Sequence, residues 1–250
     1  MSREEFSSSA GALFLVATPI GNLEDMTIRA LNTLKECDVI YAEDTRRTKI
    51  LLDKFDIHKK LESYHIFNEH GKASIIIKRV LEGEKAALVT DAGMPCIADP
   101  GFLLVREAVK EGIEPVIVPG VSSLTFTVAA SALPSDRFAF YGFLPVKSGR
   151  RSAAIREIAQ EGKSVVIFES PYRVGKLLKE LASVMGEDTL CAVVREATKV
   201  HEEVLRGTLG EVMERTKERN WKGECIVMVG PCSGERDVSY DLTDTQEDGE

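Results

Sequence analysis

Short runs of apolar, largely β-branched residues recur along the chain: Leu13–Ala17, Asp38–Ala42, Ala86–Thr90, Pro115–Val118, Phe138–Phe143, Ser164–Phe168, Leu190–Val194 and Cys225–Val229. Most are continuous rather than alternating, the pattern of strands covered on both faces. Between them the apolar positions switch to helical spacing. Thr27–Glu36 repeats at Ile28, Leu31 and Leu34, and Ala73–Leu81, Phe102–Glu111, Pro171–Met185 and Leu209–Arg219 behave similarly. Strands alternating with helices predict an α/β protein with largely parallel sheets.

About four of these strands precede Pro119–Gly120 and about four follow. The expected organisation is therefore an N-terminal α/β domain over 12–118 and a C-terminal α/β domain over 119–232. The Ser-rich stretch 1–11 reads as a disordered N-terminus. Residues 233–250 lack apolar periodicity and read as an acidic disordered tail.

A length of 250 residues fits one or two domains, and 44% hydrophobic with 29% charged residues is globular composition. That excludes a disordered chain. No apolar run approaches the roughly 20 residues of a membrane span, and Ala12–Ala17 is too short for a secretion signal. Five cysteines, an odd number without a Cys-x-x-Cys, argue against a disulfide framework, and four histidines match no metal template. No metal and a reducing cytoplasm are the expectations.

The net charge of −8 at first argues against nucleic acid. The tail, however, holds seven acidic residues against one basic, so 1–232 carries only −2. Positive charge clusters at Arg46–Arg47 and at Lys147, Arg150, Arg151 and Arg156 in what reads as a mobile segment. An RNA substrate is not excluded.

Common signatures are absent. There is no Gly-x-Gly, so the usual dinucleotide fingerprint fails. Gly162-Lys163-Ser164 lacks the first glycine of a P-loop, and Gly120-Val121-Ser122-Ser123-Leu124 lacks the closing glycine of a nucleophile elbow. What remains is a set of Gly/Pro loops just after strands: Thr18–Leu23, Asp91–Pro95 continuing to Asp99-Pro100-Gly101, Pro119–Ser123, and Glu169–Arg173. Glycine admits close backbone approach and proline fixes loop shape. Ligands in α/β sheets bind where such loops gather. Two charged clusters, Glu43–Arg47 and Arg195–Glu203, also follow strands.

Thr18-Pro19-Ile20-Gly21-Asn22-Leu23 with Asp25, Thr27, Arg29 and Ala30, then Ala42-Glu43-Asp44-Thr45-Arg46 and Asp91-Ala92-Gly93-Met94-Pro95, resemble the ribosomal small-subunit methyltransferase I family of the tetrapyrrole methylase superfamily. The later Glu169–Arg173 and Arg195–Lys199 strings fit as well, and the likeness runs over about 12–231. The resemblance implies two α/β domains of tetrapyrrole methylase type with the cofactor cleft between them, and a homodimer. It implies use of S-adenosyl-L-methionine to methylate the ribose 2′-hydroxyl of a cytidine in small-subunit ribosomal RNA, naked or in the assembled subunit. By analogy Pro19, Ala92, Gly93, Met94, Ile97, Ser122 and Ser123 line the cofactor site, with Asp91 near its charge. Glu169, Ser170 and Ala197 close the other side. Similar proteins often continue into a helical C-terminal segment, where this chain has its acidic tail.

The cofactor is already activated, so alignment of hydroxyl and methyl is the protein's main contribution. A general base adds about 10²–10⁴-fold, and Asp44, Glu43 and Glu196 are the candidates. Arg46, Arg47, Lys147, Arg150, Arg151 and Arg173 are candidate RNA contacts, and Tyr64, Phe67, Tyr141 and Tyr172 are candidate stacking rings, at least two of them expected in the core instead. Two other readings stay open: a tetrapyrrole (precorrin-type) methyltransferase on the same scaffold, and a non-catalytic regulator that binds S-adenosylmethionine.

Overall fold

Ala12–Val16 (β1), Val39–Ala42 (β2), Lys60–Ser63 (β3), Lys85–Val89 (β4) and Val116–Val118 (β5) form one sheet in the order β3-β2-β4-β1-β5. Every pairing in it is parallel, with β4 central enough that Ala86 lies opposite both Leu13 and Val39. The connecting helices are Ile28–Glu36 (α1), Thr45–Lys54 (α2), Glu69–Leu81 (α3) and Phe102–Lys110 (α4). Ser123–Ser131 (α5) follows the last strand.

The continuous apolar runs have a direct cause. Leu13, Leu15, Tyr41 and Leu88 pack with Ile76, Ile77 and Leu104 on one face. Val16, Ile40, Ala87 and Val89 pack with Leu34 and Leu52 on the other. With both faces buried, no position along a central strand favours a polar residue.

The computed structural model describes residues 11–232. Residues 1–10 and the acidic tail 233–250, both expected to be disordered, lie outside them. The described chain folds as two compact units: the first holds 11–127 and Arg195–Glu203, the second Val128–Val194 and 204–232.

The second sheet is Phe138–Phe143 (β6), Ser164–Glu169 (β7), Leu190–Arg195 (β8), Glu203–Thr208 (β9) and Cys225–Val229 (β10), in the order β6-β7-β10-β8-β9. β6 and β7 run parallel, whereas β7 and β10 run antiparallel. The expectation of largely parallel sheets therefore holds for the first sheet, while the second mixes parallel and antiparallel pairing. Ser148–Gln160 (α6), Val174–Met185 (α7) and Leu209–Arg215 (α8) pack onto this sheet. Ile155, Ile158, Leu177 and Leu181 meet Val165, Ile167, Val193 and Val227 there. Thr208 and Glu211 form a reciprocal capping box at the start of α8.

Two strands escape the apolar pattern of the sequence. β3 and β9 are edges of their sheets, and their exposed or half-buried positions carry Lys60, Glu62, Glu203 and Arg206, which breaks the apolar run. The segment expected to be mobile and basic is instead the 13-residue helix α6. Its buried positions Arg151, Ile155 and Ile158 recur at helical spacing.

None of the five cysteines forms a disulfide. Burial pushes the Cys37 thiol up to about 11 and the Cys191 thiol up to about 12, which keeps both unreactive.

Candidate functional site

In a parallel sheet, the loops after adjacent strands meet at one edge. Here the loops after β1 and β4 are hydrogen-bonded into a short antiparallel bridge. Thr18 N–H donates to the Gly93 carbonyl at 2.9 Å, and Gly93 N–H donates to the Thr18 carbonyl at 3.0 Å. The Thr18 hydroxyl donates to the Thr90 carbonyl at 3.1 Å. The loop after β5 packs on the same place, since a Cβ on Gly120 would lie 2.9 Å from Ala17 Cβ. Gly93 adopts φ +80°, and a Cβ there would meet Ile20 Cγ2 at 3.4 Å. Glycine is favoured at that φ, where a side chain would be strained, and it leaves the backbone open to a ligand.

The loop after β2 joins them through charge. Asp44 N–H donates to Asp91 Oδ1 at 3.1 Å, and Arg47 Nη1 lies 3.1 Å from Asp91 Oδ2. Asp44 also caps α2, accepting from Arg46 N–H at 2.9 Å, while Arg46 Nη2 donates to its Oδ2 at 2.6 Å. The Arg46 side chain and backbone hold the Asp44 carboxyl well below the usual carboxylate range. Glu43 behaves oppositely. Burial first, then the neighbouring Asp91 charge, push its carboxyl above its ordinary value against the opposing pull of the Asp91 N–H and Arg47.

The segment Arg195–Glu203 belongs to this same unit. A Cβ on Gly21 would lie 2.4 Å from Lys199 Cγ and 2.8 Å from the Ala197 carbonyl oxygen, so the two loops touch. Glu196 pairs with Lys199 at 2.9 Å. Of the six non-glycine residues with positive φ among the described residues, Cys96 (73°), Ala98 (63°), Glu196 (52°) and Thr198 (64°) lie in these loops, and Asp56 and Ala132 lie elsewhere. Such strain collects where surrounding structure must hold a functional shape. The structure thus brings together Pro19, Glu43, Asp44, Asp91–Met94 and Ala197 on one unit, with Ile97, Ser122 and Ser123 on the same loops. Thr18 and Thr90 carry the junction and are invisible as site residues in the sequence, because a buried threonine after a strand has no signature of its own.

Glu169, Ser170, Tyr172 and Arg173 form a separate cluster on the second unit. The Glu169 side chain is fully closed to solvent. Its Oε1 accepts from Ser170 N–H at 2.8 Å and from Arg173 Nε at 2.7 Å, and its Oε2 lies 2.8 Å from Arg151 Nη1. Arg151 also donates from Nε to Glu180 Oε2 at 2.6 Å. Burial works against its charge, but the Glu180 and Glu169 carboxylates outweigh that and hold it protonated.

The expectation of Arg151 as an RNA contact is corrected by this geometry. It is 2% exposed and neutralised by two carboxylates, so it presents no cation to a phosphate. It projects from α6 at the same helical spacing as Ile155 and Ile158, the buried face. Lys147 and Arg150, at the start of the helix, remain exposed. Of the four rings, Tyr64 is buried and Tyr141 donates to Glu161 at 2.6 Å. Phe67 and Tyr172 are 94% and 90% exposed. No cluster of three metal-binding side chains and no helix long and apolar enough to cross a membrane occurs among the described residues.

Comparison with known proteins accords with this architecture. The family model for tetrapyrrole (corrin/porphyrin) methylases matches residues 12–213. Ribosomal RNA small subunit methyltransferase I of Halalkalibacterium halodurans is 46% identical over 88% of this chain and 76% of its own length. The protein of the same name from Thermotoga maritima is 45% identical over 88% of this chain and 98% of its own. Among solved structures, uroporphyrin-III C-methyltransferase of Thermus thermophilus, complexed with S-adenosyl homocysteine, superposes with a TM-score of 0.63 at 21% identity, covering 88% of this chain and 97% of that one. Diphthine synthase superposes at 0.66 and 18%, covering 88% and 90%. At such identities the last two show the fold alone. The family match and the curated relatives show more: the chain belongs to the tetrapyrrole methylase family and, within it, to the ribosomal RNA small subunit methyltransferase I family.

Proposed function

We propose that this protein transfers a methyl group from S-adenosylmethionine to the ribose 2′-hydroxyl of a cytidine in small-subunit ribosomal RNA. The observation that carries the reading is identity above 40% to relatives of that name over nearly nine-tenths of the chain. From the resemblance we also carry a homodimer acting in the cytoplasm.

The residues present fit the cofactor. Gly93 keeps open, at φ +80°, a place that a side chain would fill. Thr90 Oγ1, buried at the end of β4, has no hydrogen-bond partner among the described residues. The loops 18–23, 91–97 and 120–123 would hold the cofactor, largely through backbone. Asp91 is oriented for its charged end by the Asp44 N–H and Arg47. When bound, S-adenosylmethionine supplies a methyl group already activated on a sulfonium.

Of the three candidate bases, Glu43 suits the role. Asp44 is committed to a helix cap and to Arg46, and Glu196 to Lys199. Glu43 sits half-buried beside Asp91 with its proton affinity raised, which favours taking a hydroxyl proton. Arg46 and Arg47 stand exposed on the first turn of α2 beside it, where they can meet phosphates. Lys147, Arg150 and Tyr172 are candidate contacts of the second unit.

The test is transfer of labelled methyl from the cofactor to unmodified small ribosomal subunits, to naked ribosomal RNA, and to tetrapyrrole precursors. Label in cytidine ribose supports the reading. Label only in tetrapyrrole overturns it, and cofactor binding without transfer to any acceptor favours a regulator.

A further inference from the structure

We propose that a groove between α7 and α8 binds single-stranded RNA flanking the methylated nucleotide; this rests on the reading of the chain as an RNA methyltransferase. The groove is a cavity of about 600 Å³ on the helical side of the second unit. That lies within the roughly 300–1,000 Å³ of ordinary ligand sites, with room for a nucleotide. Its wall includes Lys176 and Lys179 from α7, Lys217 and Arg219 after α8, and two rings, Tyr172 and Trp221.

Three features point to one class of ligand. First, four cations face two carboxylates, Glu187 and Glu214, so the groove is positive although residues 1–232 carry −2 overall. Second, its lysines are weakly held. Lys176 lies 3.7 Å from Glu180 and Lys217 3.7 Å from Glu214, with both lysine side chains more than half exposed. Such pairs contribute little and exchange readily for a phosphate. Third, Tyr172 stands 90% exposed at the wall, while the Arg219 guanidinium lies 4.4 Å from the Trp221 ring centroid. An open ring beside a row of cations is how proteins hold single strands, with bases stacked and the backbone tracked by charge. An acidic peptide would use the cations and leave the ring idle.

The groove opens from the Pro171–Tyr172 turn that directly follows Glu169 and Ser170. A strand seated there would therefore lead from the β7 end of the unit. In the sequence Lys176 and Lys179 are about forty residues from Lys217 and Arg219. Packing of α7 on α8 makes them one surface.

The experiment uses the full chain and a fluorescein-labelled single-stranded oligoribonucleotide, with the matching RNA duplex as comparison. The variants are Lys179→Ala with Lys217→Ala, and Tyr172→Ala alone. The double variant should weaken single-strand binding at least tenfold and flatten the dependence of log affinity on log salt by about 0.7 per lysine removed. Tyr172→Ala should weaken it roughly tenfold with the salt slope kept. For both, the KM for small ribosomal subunits should rise while S-adenosylmethionine affinity stays. Unchanged oligoribonucleotide affinity overturns the proposal, and a raised KM with that affinity intact assigns the groove to a ribosomal protein instead. If the unaltered protein methylates no ribosomal RNA yet its oligoribonucleotide binding depends on these residues, the groove stands and the proposed substrate falls.

Discussion

Arg151 Nη1 and Glu169 Oε2 lie 2.8 Å apart with both side chains closed to solvent, one from α6 and the other from the end of β7. Removing one partner of a buried pair leaves an uncompensated charge and costs about 3–5 kcal/mol. Arg151→Ala should therefore lower the unfolding free energy in urea by that much. Arg151→Met with Glu169→Leu should recover part of the loss, because no charge is left buried. If Arg151→Ala leaves stability unchanged and only weakens RNA methylation, the residue works as the surface contact that its sequence position suggested.

Glu43→Gln should reduce kcat by about 10²–10⁴-fold, the usual contribution of a general base. The base acts when deprotonated and its proton affinity is raised. Activity should therefore fall as pH drops through a value above the ordinary 4.5 of a glutamate, and the variant should lose that limb. Asp44→Asn, which keeps a capping oxygen, should change kcat far less. Equal effects of the two substitutions would remove Glu43 from the role of base.

At Gly21 a new Cβ must displace the Ala197 carbonyl, 2.8 Å away, and with it the strained turn at Glu196 and Thr198. Gly21→Ala should weaken S-adenosylmethionine binding severalfold by calorimetry. Unaltered binding would show that the Arg195–Glu203 segment does not shape the cofactor loops.

Glu62 ties three cations on α3 and β3: Lys60 at 2.8 Å, Arg79 at 2.8 Å and Lys72 at 3.2 Å. The hydrogen bond from Lys60 leads in lowering its carboxyl from 4.5 to about 2. Because the folded value is the lower one, its stabilisation is present above about pH 4.5 and is lost as pH falls toward about 2. Glu62→Gln should cost about 1–2 kcal/mol at pH 7, discounted for partial exposure, and progressively less as pH falls through about 2. A constant difference across pH would mean that packing, not charge, is the cause.

Central strands and the helices with a full apolar stripe were legible in the sequence because burial on both faces, or on one helical face, imposes a period on the chain itself. Leu13–Ala17 and Ala86–Thr90 could be read this way, as could the Gly/Pro loops that follow them, whose residue types answer to local backbone shape. β3 and β9 could not, since an edge strand is covered on too few sides to exclude lysine or glutamate. Nor could the antiparallel entry of β10, because strand direction depends on pairings between residues far apart in sequence. Charge was the least legible quantity. Arg46, Arg47, Arg150 and Arg151 look alike as letters, yet only tertiary packing decides that Arg151 faces Glu169 in the core, that Arg47 orients Asp91, and that four cations from two distant segments line one groove. The sequence determined which stretches must be buried and which loops must bend; desolvation and long-range pairing determined which charged groups remain available for chemistry.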